Sequence, residues 1–332
     1  MQLWHILNGS KLAAALSLFM AISGCASLYF KMDHFSLLFS IGFYTLVASL
    51  LHLSSSREKY MLVLHTLIEA AQDLETHVNH RQMRKMMKFT RALRILLAFH
   101  FVELCFHIVM VCGIPLLRRT LGAPMPFLPV DPMYFWSSFV IESIVATMGI
   151  LAFSSAFGFI IEVSLCLTCL FDILGECFRE VTNCETVPSL IRIHQLLLDA
   201  STTFKNTVPD ICFNIVWNAL FMTIIVTYVV TAVSFQMYMV AVVASFFAWF
   251  CAACLLGQLV AKSSFGISFS VYESDWIYTL SQLRKDLSLI ILRSKQKPAC
   301  LEAGLFGNLD FKKILWFIEN WYKMVQALLN LI

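Results

Sequence analysis

The sequence predicts an all-α membrane protein with seven transmembrane helices, a cytoplasmic amino terminus, an extracellular carboxyl terminus and long cytoplasmic helical extensions. Three observations predict it. First, 59% of the 332 residues are hydrophobic and 14% are charged, with a mean hydropathy of +0.76. A soluble domain is about 45–50% apolar and about 25% charged. Second, seven stretches approach the ~20 apolar residues that a spanning helix needs: 12–30, 35–53, 92–114, 134–161, 208–231, 236–261 and 311–332. Third, the basic residues sit on one side. One Lys or Arg precedes the first stretch, eight lie in 54–94, three in 163–207 and eight in 262–313, against only Lys31, Arg118 and Arg119 in the other connections. Lys and Arg in short connections mark the cytoplasmic side, which sets both termini.

Taken in order, Lys11 and Leu12–Ala26 have the form of a signal peptide, but the apolar run continues through Leu28-Tyr29-Phe30. That is long enough for an uncleaved first helix. Residues 54–91 read as a charged helix with Leu62, Leu64, Leu67, Ile68, Ala71 and Leu74 on a partly apolar face. Residues 115–133 hold Pro115, Pro124, Pro126, Pro129 and Pro132, which excludes regular helix there. The fifth and sixth spans are joined only by Thr231–Phe235, and 163–207 and 262–310 read as amphipathic helices. The chain divides into residues 1–261, a bundle of helices one to six; 262–310, a cytoplasmic anchor helix and linker; and 311–332, the last helix.

Several classes drop out. The 11 cysteines lie mostly inside apolar runs, where a secreted disulfide framework would put them in loops. Cys166/Cys169 and Cys251/Cys254 have metal-like spacing but lack the second pair or histidine cluster of a zinc site. No metal or cofactor is expected, nor an enzyme: no Ser/His/Asp set or phosphate loop stands out. The net charge of +3 gives no reason to expect a nucleic-acid partner. A G-protein-coupled receptor would have its amino terminus outside, an Asn-Pro-x-x-Tyr motif in the last helix and an Asp-Arg-Tyr motif after the third. Neither motif occurs.

The last helix is informative by itself. At 100° per residue, Glu319, Lys323, Gln326 and Asn330 fall on one polar stripe. Such a stripe belongs against water or protein, not lipid. It reads as a pore wall, or else as an outer-end cap holding a Glu319–Lys323 pair. Glu103, His107 and Glu142 are ionisable residues inside spans. Glu103 and His107 are i,i+4 neighbours placed to pair, and Glu142 is placed to pair or to contact a polar ligand.

The carboxyl-terminal third resembles the insect odorant receptor family. Gly257-Gln258-Leu259, Ser263-Ser264 and Val271-Tyr272-Glu273-Ser274-Asp275-Trp276 resemble its run from the sixth helix into the last cytoplasmic segment. Arg284-Lys285-Asp286-Leu287, Arg293-Ser294 and Lys297-Pro298 fit the basic stretch that follows. Ala303-Gly304-Leu305-Phe306, Leu309 and Phe311 resemble the approach to the seventh helix. Upstream, Leu128-Pro129-Val130-Asp131-Pro132 resembles the second extracellular loop, and His194 sits where the family often has a histidine. The last helix departs from the family's Tyr-Ser-Tyr-like motif with Tyr322-Lys323-Met324.

The resemblance implies a multi-pass plasma-membrane subunit of a non-selective cation channel, gated by a volatile small molecule and assembled as a heterotetramer with a shared co-receptor. The related gustatory branch is the alternative, although its Thr-Tyr and Gln-Phe motifs are absent. Alignment on Tyr322 makes Val325 the hydrophobic constriction, with Leu329 one turn further out and Gln326 and Glu319 flanking. An apolar, aromatic odorant pocket is expected between the outer halves of helices two, three, four and six. Phe39, Phe43, Phe106, Met110, Phe139, Ser143, Tyr238 and Val242 are its candidates. Trp276, Tyr278, Leu283 and Leu287 form an apolar face that lies either on the membrane surface or in a cytoplasmic subunit anchor, with Trp276 as its hot spot.

Overall fold

The computed structural model describes residue 52 and residues 55–118, 135–181, 184–232, 237–274, 281–296 and 298–330. The first two expected spans lie outside these residues, His52 apart. Eight α-helices follow: α1 (Arg57–Glu75), α2 (His80–Arg118), α3 (Phe135–Glu180), α4 (Val187–Thr207), α5 (Pro209–Ala232), α6 (Met237–Glu273), α7 (Ser281–Gln296) and α8 (Phe311–Leu329). Short 3-10 turns at Cys184–Thr186 and Gly304–Phe306 complete the described elements.

Helix length is the first structural finding. α2, α3 and α6 contain 39, 46 and 37 residues. At 1.5 Å per residue they reach roughly 58, 69 and 55 Å, about twice the ~30 Å of a bilayer's hydrocarbon core. The connecting segments read from sequence as helices are therefore in part continuations of the spans, while α1, α4 and α7 stand as the separate helices the sequence indicates. Composition changes at Glu162 and Lys262, but no proline or turn residue stops the backbone there. α2 also runs through Pro115 to Arg118, correcting the expectation that Pro115 begins irregular chain. Near a helix end the missing N–H removes a single backbone hydrogen bond.

Among the described residues three stretches are long and apolar enough to cross a membrane, His80–Val109, Thr147–Glu180 and Val243–Glu273. α4 and α5 meet at a bend of 51°, with the apolar residues of this pair concentrated in α5. Pro209 opens α5, and proline disfavours helical geometry in the residue before it, which places the bend. α8 carries Lys312, Lys313, Glu319 and Lys323 within 19 residues and is too charged to join these apolar spans.

α3 and α6 run side by side at the centre. Small residues allow the approach: a Cβ added at Gly175 would lie 2.9 Å from Ser270 Oγ. α2 covers α3, α5 and α7 cover α6, and α1 lies along α4. The α1–α4 pair shows why an amphipathic helix docks. Tyr60, Val63, Leu67, Ala70 and Leu74 recur at three- and four-residue steps on α1 and are all buried. They share the core with Leu190, Ile193, Leu197 and Phe204 of α4. Burying each large apolar side chain stabilises this water-facing base by about 1.5–3 kcal/mol.

A tucked loop carries the chain from α7 into α8. The Leu309 N–H donates to Leu301 O at 2.9 Å and the Ala303 N–H to Gly307 O at 2.9 Å, closing a bridge between Glu302 and Asn308. Gly304 and Gly307 take φ of +51° and +73°, a region that side chains disfavour. The loop is pinned outside itself by the Ala299 N–H, which donates to Ser264 Oγ at 3.1 Å, and by Lys205 and Glu302, paired at 2.6 Å. Gly257 on α6 is its seat: a Cβ there would collide with the Leu309 carbonyl.

Candidate functional site

α8 rests on the bundle by one face only. Phe317 is buried, stacked on Phe250 at 4.7 Å and tilted against Phe247 at 5.5 Å. Trp321 donates from Nε1 to Thr227 Oγ1 at 3.3 Å. The opposite side is bare. Phe311, Leu315, Ile318 and Tyr322 follow i, i+4, i+7, i+11 spacing and are exposed, Leu315 by 70% and Tyr322 by 59%. Beside that apolar ridge run exposed Glu319, Lys323 and Gln326. Lys323 Nζ donates to Glu319 Oε1 at 2.6 Å, and Gln326 Nε2 donates to the Tyr322 hydroxyl at 2.7 Å. The polar stripe and the alignment-derived face thus adjoin in one continuous uncovered arc. Val325 is half-buried at its edge. The side chain of Leu329 lies outside the described residues.

A second constellation sits inside the bundle, where α2, α3 and α6 meet. Trp249 stacks on His107 at 5.0 Å and packs against Phe153 at 4.7 Å and Phe246 at 5.2 Å. His107 Nδ1 lies 2.9 Å from Glu103 O. A carbonyl can only accept, so Nδ1 carries the proton and Nε2 presents a lone pair. Among the described residues, His107 Nε2 and Trp249 Nε1 are buried without a hydrogen-bond partner. A buried polar group left unmade costs about 1–3 kcal/mol, so the stack holds one unmatched acceptor and one unmatched donor. The expected Glu103–His107 side-chain pairing is corrected: His107 bonds the Glu103 backbone, while the carboxylate lies 3.5 Å from His100 Nδ1.

The other expected site residues divide. Phe106 lies on the exposed side of α2, in line with Phe99, Val102 and Val109, so it faces away from the bundle and the inward position belongs to its neighbour His107. Phe139 and Ser143 are half-buried on α3. Phe39, Phe43, Trp276 and Tyr278 lie outside the described residues, as do the side chains of Met110, Glu142, Tyr238 and Val242. On α7, Leu287 is buried and Leu283 packs against this subunit's own core, which corrects their assignment to the outward contact face. The exposed apolar residues there are Leu289 and Leu292. Among the described residues no three His, Cys, Asp or Glu side chains group as metal ligands.

A cavity of about 470 Å³ opens elsewhere, between the polar ends of α2, α3 and α6, lined by Lys85, Asp172, Glu176, Arg179, Ser263 and Phe269 among others. Lys85 pairs with Glu176, and Arg179 with Glu273 at 2.8 Å. Such a charged lining is unlike an odorant pocket, which should be mostly apolar.

Comparison with known proteins completes the picture. A family model described as the 7tm odorant receptor matches residues 32–312. This chain belongs to the odorant receptor family. The solved structure of the insect olfactory receptor OR5 from Machilis hrabei superposes with a TM-score of 0.78 at 14% identity, covering 98% of the receptor and 91% of that chain. The same protein in complex with eugenol superposes with a TM-score of 0.80 at 13% identity, covering 97% and 88%. No curated protein sequence matches the receptor significantly. The receptor is thus an almost wholly helical, multi-pass membrane protein with the fold of OR5. The sequence singled out His107 as an intramembrane ionisable residue but missed Trp249. Its only signal was an indole inside an apolar span, the kind of side chain that normally seeks a partner for its N–H.

Proposed function

We propose that this receptor is an odorant-gated, non-selective cation channel subunit of the plasma membrane, assembled with a co-receptor into a heterotetramer around the α8 helices. The uncovered arc of α8 carries this reading. A helix that presents Leu315, Ile318 and Tyr322 beside Glu319, Lys323 and Gln326 suits neither lipid alone nor water alone. A place beside sister helices and a wet axis satisfies both ridges. Val325, at the edge of the arc, is the apolar constriction that can dewet and block ions, and the bulk of the interface lies in the cytoplasmic base, where Leu289 and Leu292 face outward.

The ligand is a small, mostly apolar molecule with a polar group. Eugenol, bound by the OR5 relative, is of that chemical type. Phe139 and Ser143 flank the approach, and the His107–Trp249 cluster is its polar floor. The test is expression with and without a co-receptor, recording currents to a panel of volatiles while G-protein signalling is blocked. Persistent odorant currents that require the co-receptor support the reading, and loss of current under the block removes it. Val325→Ala raises basal current several-fold in the same recordings, whereas unchanged basal current and permeability remove the gate assignment.

A further inference from the structure

The outward ridge of α2 changes chemistry once along its length. Arg81, Arg84, Lys88 and Arg91 are spaced i, i+3, i+7, i+10, and all four are exposed. Ile95, Phe99, Val102, Phe106 and Val109 continue the same ridge at three- and four-residue steps, also exposed. One face of one helix therefore reads as four cations and then five apolar side chains. The apolar part matches hydrocarbon, so the bilayer surface falls between Arg91 and Ile95.

Among the described residues these cations are not committed to the protein. Of the Lys and Arg on α2 only Lys85 is seen in a salt bridge there, held by Glu176 of α3, and no acidic residue occurs on α2 before Glu103. Glu180 also faces α2 but accepts from Asn79 and Gln82 at 2.8 and 3.2 Å, away from the outward ridge. Arg84 spends one donor on the His80 carbonyl at 3.3 Å and keeps its charge unmatched. From Arg81 to Arg91 the ladder rises about 15 Å. A headgroup layer is only about 5–8 Å deep on each side, so the ladder reaches past an ordinary headgroup.

We propose that the Arg84, Lys88 and Arg91 face of α2 binds an anionic lipid of the inner leaflet whose headgroup carries more than one phosphate. Its acyl chains lie along Ile95, Phe99 and Val102. Arginine forks bind phosphate oxygens bidentately, and basic clusters just cytoplasmic of a span attract anionic lipid. The proposal shares with the functional reading only the cytoplasmic placement of this end of α2. Binding is measured in detergent, without reference to orientation or channel activity, so the two ideas fail separately.

The full-length receptor in detergent is titrated with a fluorescent short-chain phosphatidylinositol 4,5-bisphosphate, with short-chain phosphatidylserine and with free inositol trisphosphate. The bisphosphorylated lipid is expected to bind about tenfold or more tighter than either, with an affinity that falls as salt rises. Arg84→Gln/Lys88→Gln/Arg91→Gln is expected to weaken it at least about tenfold, taking several-fold per basic residue. Arg84→Lys/Arg91→Lys, which keeps the charge but loses the forks, is expected to weaken binding less than the triple Gln variant, and Arg192→Gln, on α4, leaves it unchanged. Thermal melting of each variant checks folding. The proposal is overturned if the triple Gln variant, folded, binds as tightly as wild type, if phosphatidylserine binds equally well, or if the free headgroup binds as tightly as the lipid.

Discussion

α2 and α8 both leave the bundle half-uncovered, yet their bare faces differ in kind. On α2 the exposed ridge within the span is wholly apolar, from Ile95 to Val109, with its charges collected below. On α8 the charges Glu319 and Lys323 stand beside the apolar residues along the same stretch of helix. Lipid tails suit the first face but would leave the second with unsatisfied charge. On the proposed assembly, equal exposure in one isolated subunit corresponds to two different neighbours, hydrocarbon for α2 and protein with water for α8. Attachment differs as well. α2 docks along α3, whereas α8 depends on a loop locked into α6 at Gly257 and on the Phe317–Phe250 stack.

That contrast can be broken most forcefully at the foot of α8. Gly257→Val drives a side chain into the Leu309 carbonyl, a backbone atom that cannot rotate away, and costs about 1–3 kcal/mol or more. Detergent-solubilised protein is expected to lose its monodisperse peak on size exclusion, and an unchanged peak and melting temperature would remove the seat. The next test places charge on the two bare faces. Val102→Arg on α2 sets a cation among lipid tails at a cost of about 2.5–3.5 kcal/mol and sharply reduces membrane insertion. Leu315→Arg on α8 leaves insertion intact and weakens assembly, read as loss of co-purified partner. Equal insertion defects in the two variants would erase the distinction.

A smaller effect concerns the α1–α4 pair. His194 is buried in α4, and burial first, then the Arg293 charge, push its pKa down to about 4. The unfolded chain takes up that proton near pH 6.5. The pair therefore keeps its full stability above about pH 6.5 and loses up to roughly 3 kcal/mol as the pH falls toward 4. Melting temperature across that range is expected to decline less in His194→Leu than in wild type. Parallel declines would assign the acid sensitivity to other groups.

How much of this was readable beforehand follows from what each feature depends on. The described spans were legible because hydrocarbon imposes long apolar runs: residues 208–231 emerged as Pro209–Ala232, and α8 begins at Phe311 as the sequence indicates. Where the long helices end was not legible, because a helix leaving the membrane at Glu162 or Lys262 changes composition without changing period. The buried side of α7 was ambiguous, since Leu283 and Leu287 compete with Leu289 and Leu292 for the apolar face. Only contact with α6 decides it. The meeting of His107 and Trp249 joins residues 142 positions apart, beyond the reach of any local pattern. The uncovered arc of α8 was half legible: the polar stripe was read, but its junction with the Leu315–Tyr322 ridge required knowing which side Phe317 buries.

The central claim is that the bare arc of α8 lines the conducting axis. Cysteine is placed singly at Tyr322, Gln326 and Phe317, and a membrane-impermeant thiol reagent is applied from outside while odorant holds the channel open. Irreversible loss of current at positions 322 and 326, with none at 317, is the predicted result. Currents untouched at both arc positions, beside a wild-type-like odorant response, would contradict the account.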